Sequence, residues 1–370
     1  MASVYKKGKK IYISWYDCSL QKRLNKSLGM EYNQQNMKKA KQMAKKFGDE
    51  LQKEKDKNKN LGITRKTIGT AFEHFLNNNL HKHPKTIVDY HRFFNRFKQT
   101  FNEDGTCATI KKLACESWLN ELKKLDYKKN TIFGYYKQFN HFLNFLFEYN
   151  YIPMFKINRD VKPKVENVEK IIISLEDLAL IFTMLNDEKK TDNFKHLIYI
   201  LYYTGLRASD VLSIKIEDVD ITNHTFKYFS PKRKVYREIA FHKDLVVCFE
   251  EIKSRKLQGS IVDYGTVDTL QRAISRYMES IELTTKKYSS RSFRKTFVTI
   301  ARRNKMDESI VKELVGHAHT STTDKFYNKI DLDQMKEELL KYIPVNKLPY
   351  DLVRERVDNL KSKKVKGNEN

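Results

Sequence analysis

Between Phe72 and Tyr149 the large apolar residues recur every three or four positions, a spacing that leaves the segment one regular structure to form. Phe72, Phe75 and Leu76 make a first stripe; Tyr90, Phe93, Phe94, Phe97 and Phe101 make a second. Trp118, Leu119, Leu122 and Leu125 make a third, and Tyr135, Phe139, Phe142, Leu143, Leu146 and Tyr149 a fourth. Four amphipathic helices of this kind predict a compact all-α domain over residues 64–155, its aromatic stripes turned to the core.

The flanking regions have different textures. In residues 1–60, Val4-Tyr5 and Ile11 to Tyr16 are β-prone runs on either side of a basic turn, Lys6-Lys7-Gly8-Lys9-Lys10. A third strand is expected around residues 24–28, ending at Gly29. Met37, Ala40, Met43, Ala44, Phe47 and Leu51 then mark a helix. Residues 53–60 (KEKDKNKN) read as a charged linker. Residues 153–170 carry Pro163 and no periodicity, and read as a second linker. Ser174-Leu175-Glu176-Asp177 opens a helix with a capping signature. From there to about residue 341 a mixed, mainly helical domain is expected. It includes a hairpin of residues 225–230 and 235–241 around Pro231-Lys232-Arg233-Lys234. Residues 331–340 form a short amphipathic helix, and the Lys-rich end of the chain is expected to be mobile. The fold class is thus mainly α with small β elements. A chain of 370 residues is too long for one ordinary core.

Charge narrows the function. Lys and Arg number 71 against 46 Asp and Glu, a formal net charge of +25. Such an excess repels itself unless a polyanion compensates it, and nucleic acid is the usual one. Residues 1–60 alone hold 16 Lys or Arg against 6 Asp or Glu, which suggests a basic sheet entering a DNA groove with Lys9, Lys10 and Tyr12 as contacts. Lys128, Lys129, Thr131, Tyr135 and Lys137 open the fourth helix of the all-α segment, where a helix N-terminus flanked by Lys suits a phosphate. Cys18, Cys107, Cys115 and Cys248 are scattered without metal-ligand spacing and read as reduced thiols. No stretch approaches 18 uncharged apolar residues, so a cytoplasmic protein without a membrane partner is expected. No G-x-x-x-x-G-K-[ST], G-x-G-x-x-G or H-E-x-x-H sequence occurs, and neither a cofactor nor a metal is expected.

Four segments of the last domain stand out: Tyr202-Tyr203-Thr204-Gly205-Leu206-Arg207-Ala208-Ser209-Asp210, the hairpin tip with Lys232, Ser290-Arg291-Ser292-Phe293-Arg294-Lys295-Thr296-Phe297, and the stretch from Leu314 to Tyr327. Singly, each has a bland reading: a helix–helix turn, a solvated basic turn, two Arg on one helix face, and one Tyr among 21.

Together they resemble the tyrosine recombinase (phage integrase) family. Gly205-Leu206-Arg207 looks like its T-G-L-R-x-x-E-L box, with Asp210 where Glu is usual. Lys232 lies nine residues before Phe241, as the family's hairpin Lys precedes its Leu. Arg294 matches the Arg of the H-x-x-R box, Val315-Gly316-His317 the Leu-Gly-His box, and Tyr327 follows His317 by ten residues. The resemblance implies an arm-type DNA-binding module at 1–60, a helical core-binding (SAM-like) domain at 64–155, a catalytic domain at 171–345 and a basic tail at 346–370. It also implies double-stranded DNA as partner, a C-shaped clamp, a homotetramer on paired sites and accessory DNA-bending proteins. Site-specific recombination would proceed by metal-independent cleavage and rejoining through a 3′-phosphotyrosine on Tyr327. Arg207 and Arg294 would fork onto the phosphate, Lys232 would protonate the leaving 5′ oxygen, and His317 would assist.

The chemistry requires such a set. Breaking a phosphodiester without a metal needs an attacking oxygen, positive charge on the phosphorane and a proton for the departing oxygen. A guanidinium matches two non-bridging oxygens, and a phenol can store the broken bond as an ester. One departure is clear: Arg291 stands where the family has His, and Arg cannot accept a proton near neutrality. Arg291 would add charge at the phosphate instead, and His319 is read as a surface residue. Three other readings remain: a Xer-like dimer resolvase, a metal-dependent nuclease or transposase built on Asp210, Asp218 and Asp220, and a DNA-binding regulator without activity. The 331–340 helix would either pack locally or dock onto a neighbouring subunit.

Overall fold

The computed structural model describes residues 2–17, 22–60, 64–167, 171–187, 191–316 and 331–367. The chain divides into two compact units, Met1–Asn167 and Val168–Asn370.

The first unit begins with an antiparallel meander of β1 (Ala2–Lys7), β2 (Lys10–Asp17) and β3 (Lys22–Glu31). Alternation turns Ile11 and Ile13 inward and leaves Tyr12 to stack on Tyr5 from the neighbouring strand. β3 does not stop at Gly29: the residue takes a positive φ of 71°, and the pairing register slips between Lys10 and Tyr12 as β3 continues to Glu31. Helix α1 (Gln34–Asn60) buries Ala40 and Ala44, and its Phe47 meets Trp15 edge-on at 5.1 Å. Residues 53–60, expected as a linker, are the last turns of α1. Lys and Glu are good helix formers, and Gln52 donates to Asp56 one turn on, so local propensity overrides the charge run.

The four helices forecast from the aromatic stripes are present: α2 (Ile68–Asn78), α3 (Pro84–Phe97), α4 (Lys112–Lys124) and α5 (Lys129–Glu148). Phe72, Phe75, Phe93, Phe94, Phe97, Trp118, Phe139 and Phe142 are all buried in one cluster, with Phe72 stacked on Phe94 at 3.8 Å. The coil after α5 is not free linker throughout. Phe155 packs edge-on against Phe147, and Ile157 is buried.

In the second unit α6 (Leu175–Asp187) and α7 (Asp192–Thr204) are followed by the short α8 (Ala208–Val211). A second meander is formed by β4 (Ile214–Asp220), β5 (Thr225–Ser230) and β6 (Val235–Ala240). The hairpin β5–β6 lies where the sequence places it; β4 had not been anticipated, although Ile214 and Ile216 alternate inward. Then come α9 (Val246–Arg255), α10 (Val267–Ser280), α11 (Ser290–Arg303), α12 (Glu308–Val315), α13 (Leu332–Leu339) and α14 (Arg354–Gly367).

The expected mobile tail is corrected. Val353, Val357 and Leu360 are buried in the core of this unit, and Tyr203 accepts from the Val345 amide. Three apolar residues at positions 353, 357 and 360 make a short stripe that the surrounding lysines hide in the sequence.

Arg356 of this last helix reaches Asp177 in α6, a carboxylate only 2% exposed. Lys286 (2.5 Å) and Tyr288 (2.6 Å) donate to the same group. Burial pushes the Asp177 carboxyl up, but the bonds from Lys286, Tyr288 and Ser174 outweigh it and hold it below its ordinary value. A depressed folded pKa gives stability that is complete above the unfolded value, about 3.9, and is lost as pH falls through the lower folded one. Asp177→Asn should therefore cost about 2 kcal/mol at pH 7, less than for a fully buried pair because Lys286 and Arg356 are half-exposed. Urea titrations of the two proteins should converge only as pH falls below the depressed folded-state pKa of Asp177.

Candidate active site

Helix α7 ends because Gly205 takes a left-handed conformation, φ 57°. A side chain could not sit there: a Cβ would lie 2.6 Å from Phe297 of α11. The turn places Arg207 at the start of α8, and Phe297 sets α11 against it. One guanidinium from each side meets at this point. Arg207 donates to Asp210 (3.3 Å) and to the Gly316 carbonyl (3.0 Å). Arg294 donates through Nη1 to the Gly205 carbonyl at 2.9 Å. Its other terminal nitrogen, Nη2, is buried and is the one such side-chain atom without a hydrogen-bond partner among the described residues.

Burial, then the charges of Arg207 and Arg237, lower the Arg294 pKa to about 10, partly offset by Asp210. Asp210 is fully buried and splits its oxygens between Arg207 and the Ser230 hydroxyl (3.1 Å). It therefore joins α8 to the base of the β5–β6 hairpin. The Ser230 carbonyl accepts from the Arg233 and Lys234 amides, closing the turn that carries Lys232 exposed at its tip.

A third guanidinium was not singled out in the sequence. Arg237 of β6 is 8% exposed, donates to the Tyr228 hydroxyl and the Glu313 carbonyl, and pairs with the Glu313 carboxylate at 2.9 Å. The signal was there: Arg237 stands two residues before Ile239, on the inward side of a strand whose alternate residues are buried.

The structure thus gathers Arg207 and Arg294 and ties the Lys232 turn to them through Ser230 and Asp210. Arg291 is exposed in the first turn of α11. His317, His319 and Tyr327 lie outside the described residues; Gly316, immediately before His317, caps α12 with φ 66°. Two carboxylates of the metal reading serve other ends: Asp210 as above, and Asp220 accepting from Asn223 in the β4–β5 turn, while Asp218 is exposed on β4. No group of three or more His, Cys, Asp or Glu that could hold a metal occurs among the described residues.

In the first unit, Lys9 and Lys10 are exposed at the β1–β2 turn, and Tyr12 is half-buried. Lys128 precedes α5 and, with Lys129, Thr131 and Lys137, is exposed; Lys129 pairs with Glu166 at 3.1 Å. Tyr135 is half-buried near Tyr127, and the charges of Arg96 and Arg92 from α3 act on it. Those two arginines extend the basic surface beyond what the sequence indicated.

Residues 172–334 match the Phage integrase family. That segment, which lies within the second unit, is similar to the family. Tyrosine recombinase XerA of Saccharolobus solfataricus is 27% identical over 186 residues, which is 50% of this chain and 62% of that protein. A tyrosine recombinase of Caldanaerobacter subterraneus is 32% identical over 44% of this chain and 57% of its own length. The match thus spans less than two thirds of either relative. Among solved structures, the Tn1549 transposon integrase in complex with transposon right end DNA covers 74% of this chain and 99% of its own, with a TM-score of 0.60 at 15% identity. A lambda integrase dimer bound to a COC′ core site covers 89% and 97%, with a TM-score of 0.56 at 12% identity. The mainly helical architecture with small antiparallel sheets is that of tyrosine recombinase integrases. No helix among the described residues is long and apolar enough to cross a membrane.

Proposed function

We propose that this chain is an integrase-family, site-specific DNA recombinase that cuts and rejoins double-stranded DNA through Tyr327, integrating and excising a mobile element. The observation that carries the reading is the buried, unpartnered Arg294 Nη2 beside Arg207. A buried donor without an acceptor is costly, and a non-bridging phosphate oxygen would complete it. In the reaction the Tyr327 oxygen attacks the scissile phosphorus as the bond to the 5′ oxygen breaks. Arg207 and Arg294 hold the two non-bridging oxygens, Lys232 gives the 5′ oxygen its proton, and His317 bonds the phosphate and assists the passage of the phenol proton of Tyr327 to solvent. Arg291 adds positive charge at its edge. The product is a 3′-phosphotyrosine and a free 5′ hydroxyl, so rejoining needs no nucleotide.

The basic sheet of residues 2–31 and the exposed lysines around α5 support separate arm and core contacts on DNA. They favour an integrase over a Xer-like resolvase, which generally has no arm-binding module. A homotetramer on paired sites, helped by DNA-bending proteins in the cytoplasm, completes the proposal, with α13 docking onto a neighbouring subunit. The test is a duplex nicked near the crossover, incubated in excess EDTA. A covalent protein–DNA adduct is expected. Cleavage that requires a divalent ion and leaves no adduct would replace this reading with a metal-dependent nuclease.

A further inference from the structure

Arg237 is built into the site yet is not disposed to grip a phosphate. Its Nη1 donates to Tyr228, directly opposite on β5, and its Nη2 donates to both the carbonyl and the carboxylate of Glu313. Its side chain is 5% exposed, so these bonds form with water largely excluded. Arg294 beside it presents a terminal nitrogen without any partner. The contrast separates a group waiting for a ligand from one already spent on the protein.

What Arg237 joins matters. It belongs to the β5–β6 hairpin, whose turn carries Lys232 five residues earlier. Glu313 belongs to the last turn of α12, and three residues later the chain leaves that helix at Gly316 toward His317 and Tyr327. The end of α12 is held from two sides, by Arg237 at Glu313 and by Arg207 at the Gly316 carbonyl. Gly316 also gives Arg237 its room: a Cβ there would lie 2.7 Å from Arg237 Nη1. A left-handed residue could be Asn, but a side chain at 316 would displace the guanidinium.

Resting on the strand-cleavage reading above, we infer that Arg237 is a positioning residue. It locks the hairpin bearing the proton donor to the end of α12, which Arg207 also holds, so that Lys232 is kept in register with the phosphate that Arg207 and Arg294 bind. A shift of about 1 Å in such a donor costs about 10²-fold in rate.

The test uses the full chain on two nicked duplexes, one ordinary and one with sulfur in place of the scissile 5′ bridging oxygen. A thiolate leaves without being protonated, so the sulfur duplex does not need the proton donor. Arg237→Met should slow adduct formation about 10²-fold on the oxygen duplex and only a few-fold on the sulfur duplex. Arg237→Lys, which keeps one bond to Glu313, should recover part of the oxygen rate. Equal losses on both duplexes would overturn the inference in favour of a phosphate ligand or a general folding role, as would no loss on either. If Arg237→Met does not fold, Glu313→Gln is read by the same oxygen-to-sulfur ratio, with a smaller change in the same direction. Failure of the unsubstituted protein to form an adduct on either duplex would instead refute the proposed function.

Discussion

Arg294→Met should lose about 10²- to 10³-fold in strand cleavage and yet yield a more stable folded protein. The two effects share one cause. The Arg294 guanidinium is buried, has one terminal nitrogen unsatisfied, and lies near the positive charges of Arg207 and Arg237. Burial and those charges depress its pKa to about 10, so at neutral pH the folded state holds a cation its surroundings disfavour. Replacing an uncompensated buried charge by an apolar chain of similar length should stabilise by about 1–3 kcal/mol. For a unit of this size each kcal/mol raises the melting temperature by about 2–4 °C. A phosphate would reverse the balance by supplying both the negative charge and the missing acceptor. DNA should accordingly raise the melting temperature of the unsubstituted protein more than that of Arg294→Met. Thermal melts with and without a core-site duplex, alongside a cleavage assay, check both halves. A variant that melts lower and still cleaves normally would show Arg294 to be a structural cation.

Gly205→Ala should be the most damaging small substitution in the second unit, costing about 2–5 kcal/mol. Two penalties combine. An L-residue in the left-handed region costs about 1–2 kcal/mol, and overpacking a dense core typically costs a further 1–3 kcal/mol. Here the added carbon would meet Phe297 at 2.6 Å, and that ring is fully buried against Tyr342. The damage extends to the chemistry, because the Gly205 carbonyl accepts from Arg294 and the turn launches Arg207. Gly134→Ala, in α5 with nothing within 4 Å of the new carbon, is the matched control. It should be neutral or stabilising by about 0.5–1 kcal/mol, as expected for an exchange within a helix. Urea denaturation of both variants, with unchanged slopes, measures the difference.

How much could be read in advance varied with the kind of signal. The four helices of residues 68–148 were legible because aromatic spacing of three and four admits no other regular structure, and Phe72, Phe93 and Phe142 lie in the core as that spacing required. The hairpin around Lys232 was legible because a Pro-Lys-Arg-Lys turn separates two β-prone runs. Composition misled at both charge-rich stretches. Residues 53–60 continue α1, and α14 buries Val357 and Leu360, because lysine-rich sequence is a solvated helix face as readily as a linker. Arg207 and Arg294 were visible through the boxes that surround them. Arg237 showed only in the alternation of its strand, because its role depends on a partner, Glu313, far along the chain. The unsatisfied nitrogen of Arg294 could be found in no sequence, since it depends on what the fold leaves out of reach.

The most direct measurement is the identity of the residue joined to DNA. A nicked duplex that strands the cleaved intermediate, followed by proteolysis and mass spectrometry of the labelled peptide, should place the 3′ phosphate on Tyr327, with no adduct from Tyr327→Phe. Phosphate carried by any other residue, or an adduct that survives Tyr327→Phe, would contradict the assignment of the nucleophile and of the pocket built to serve it.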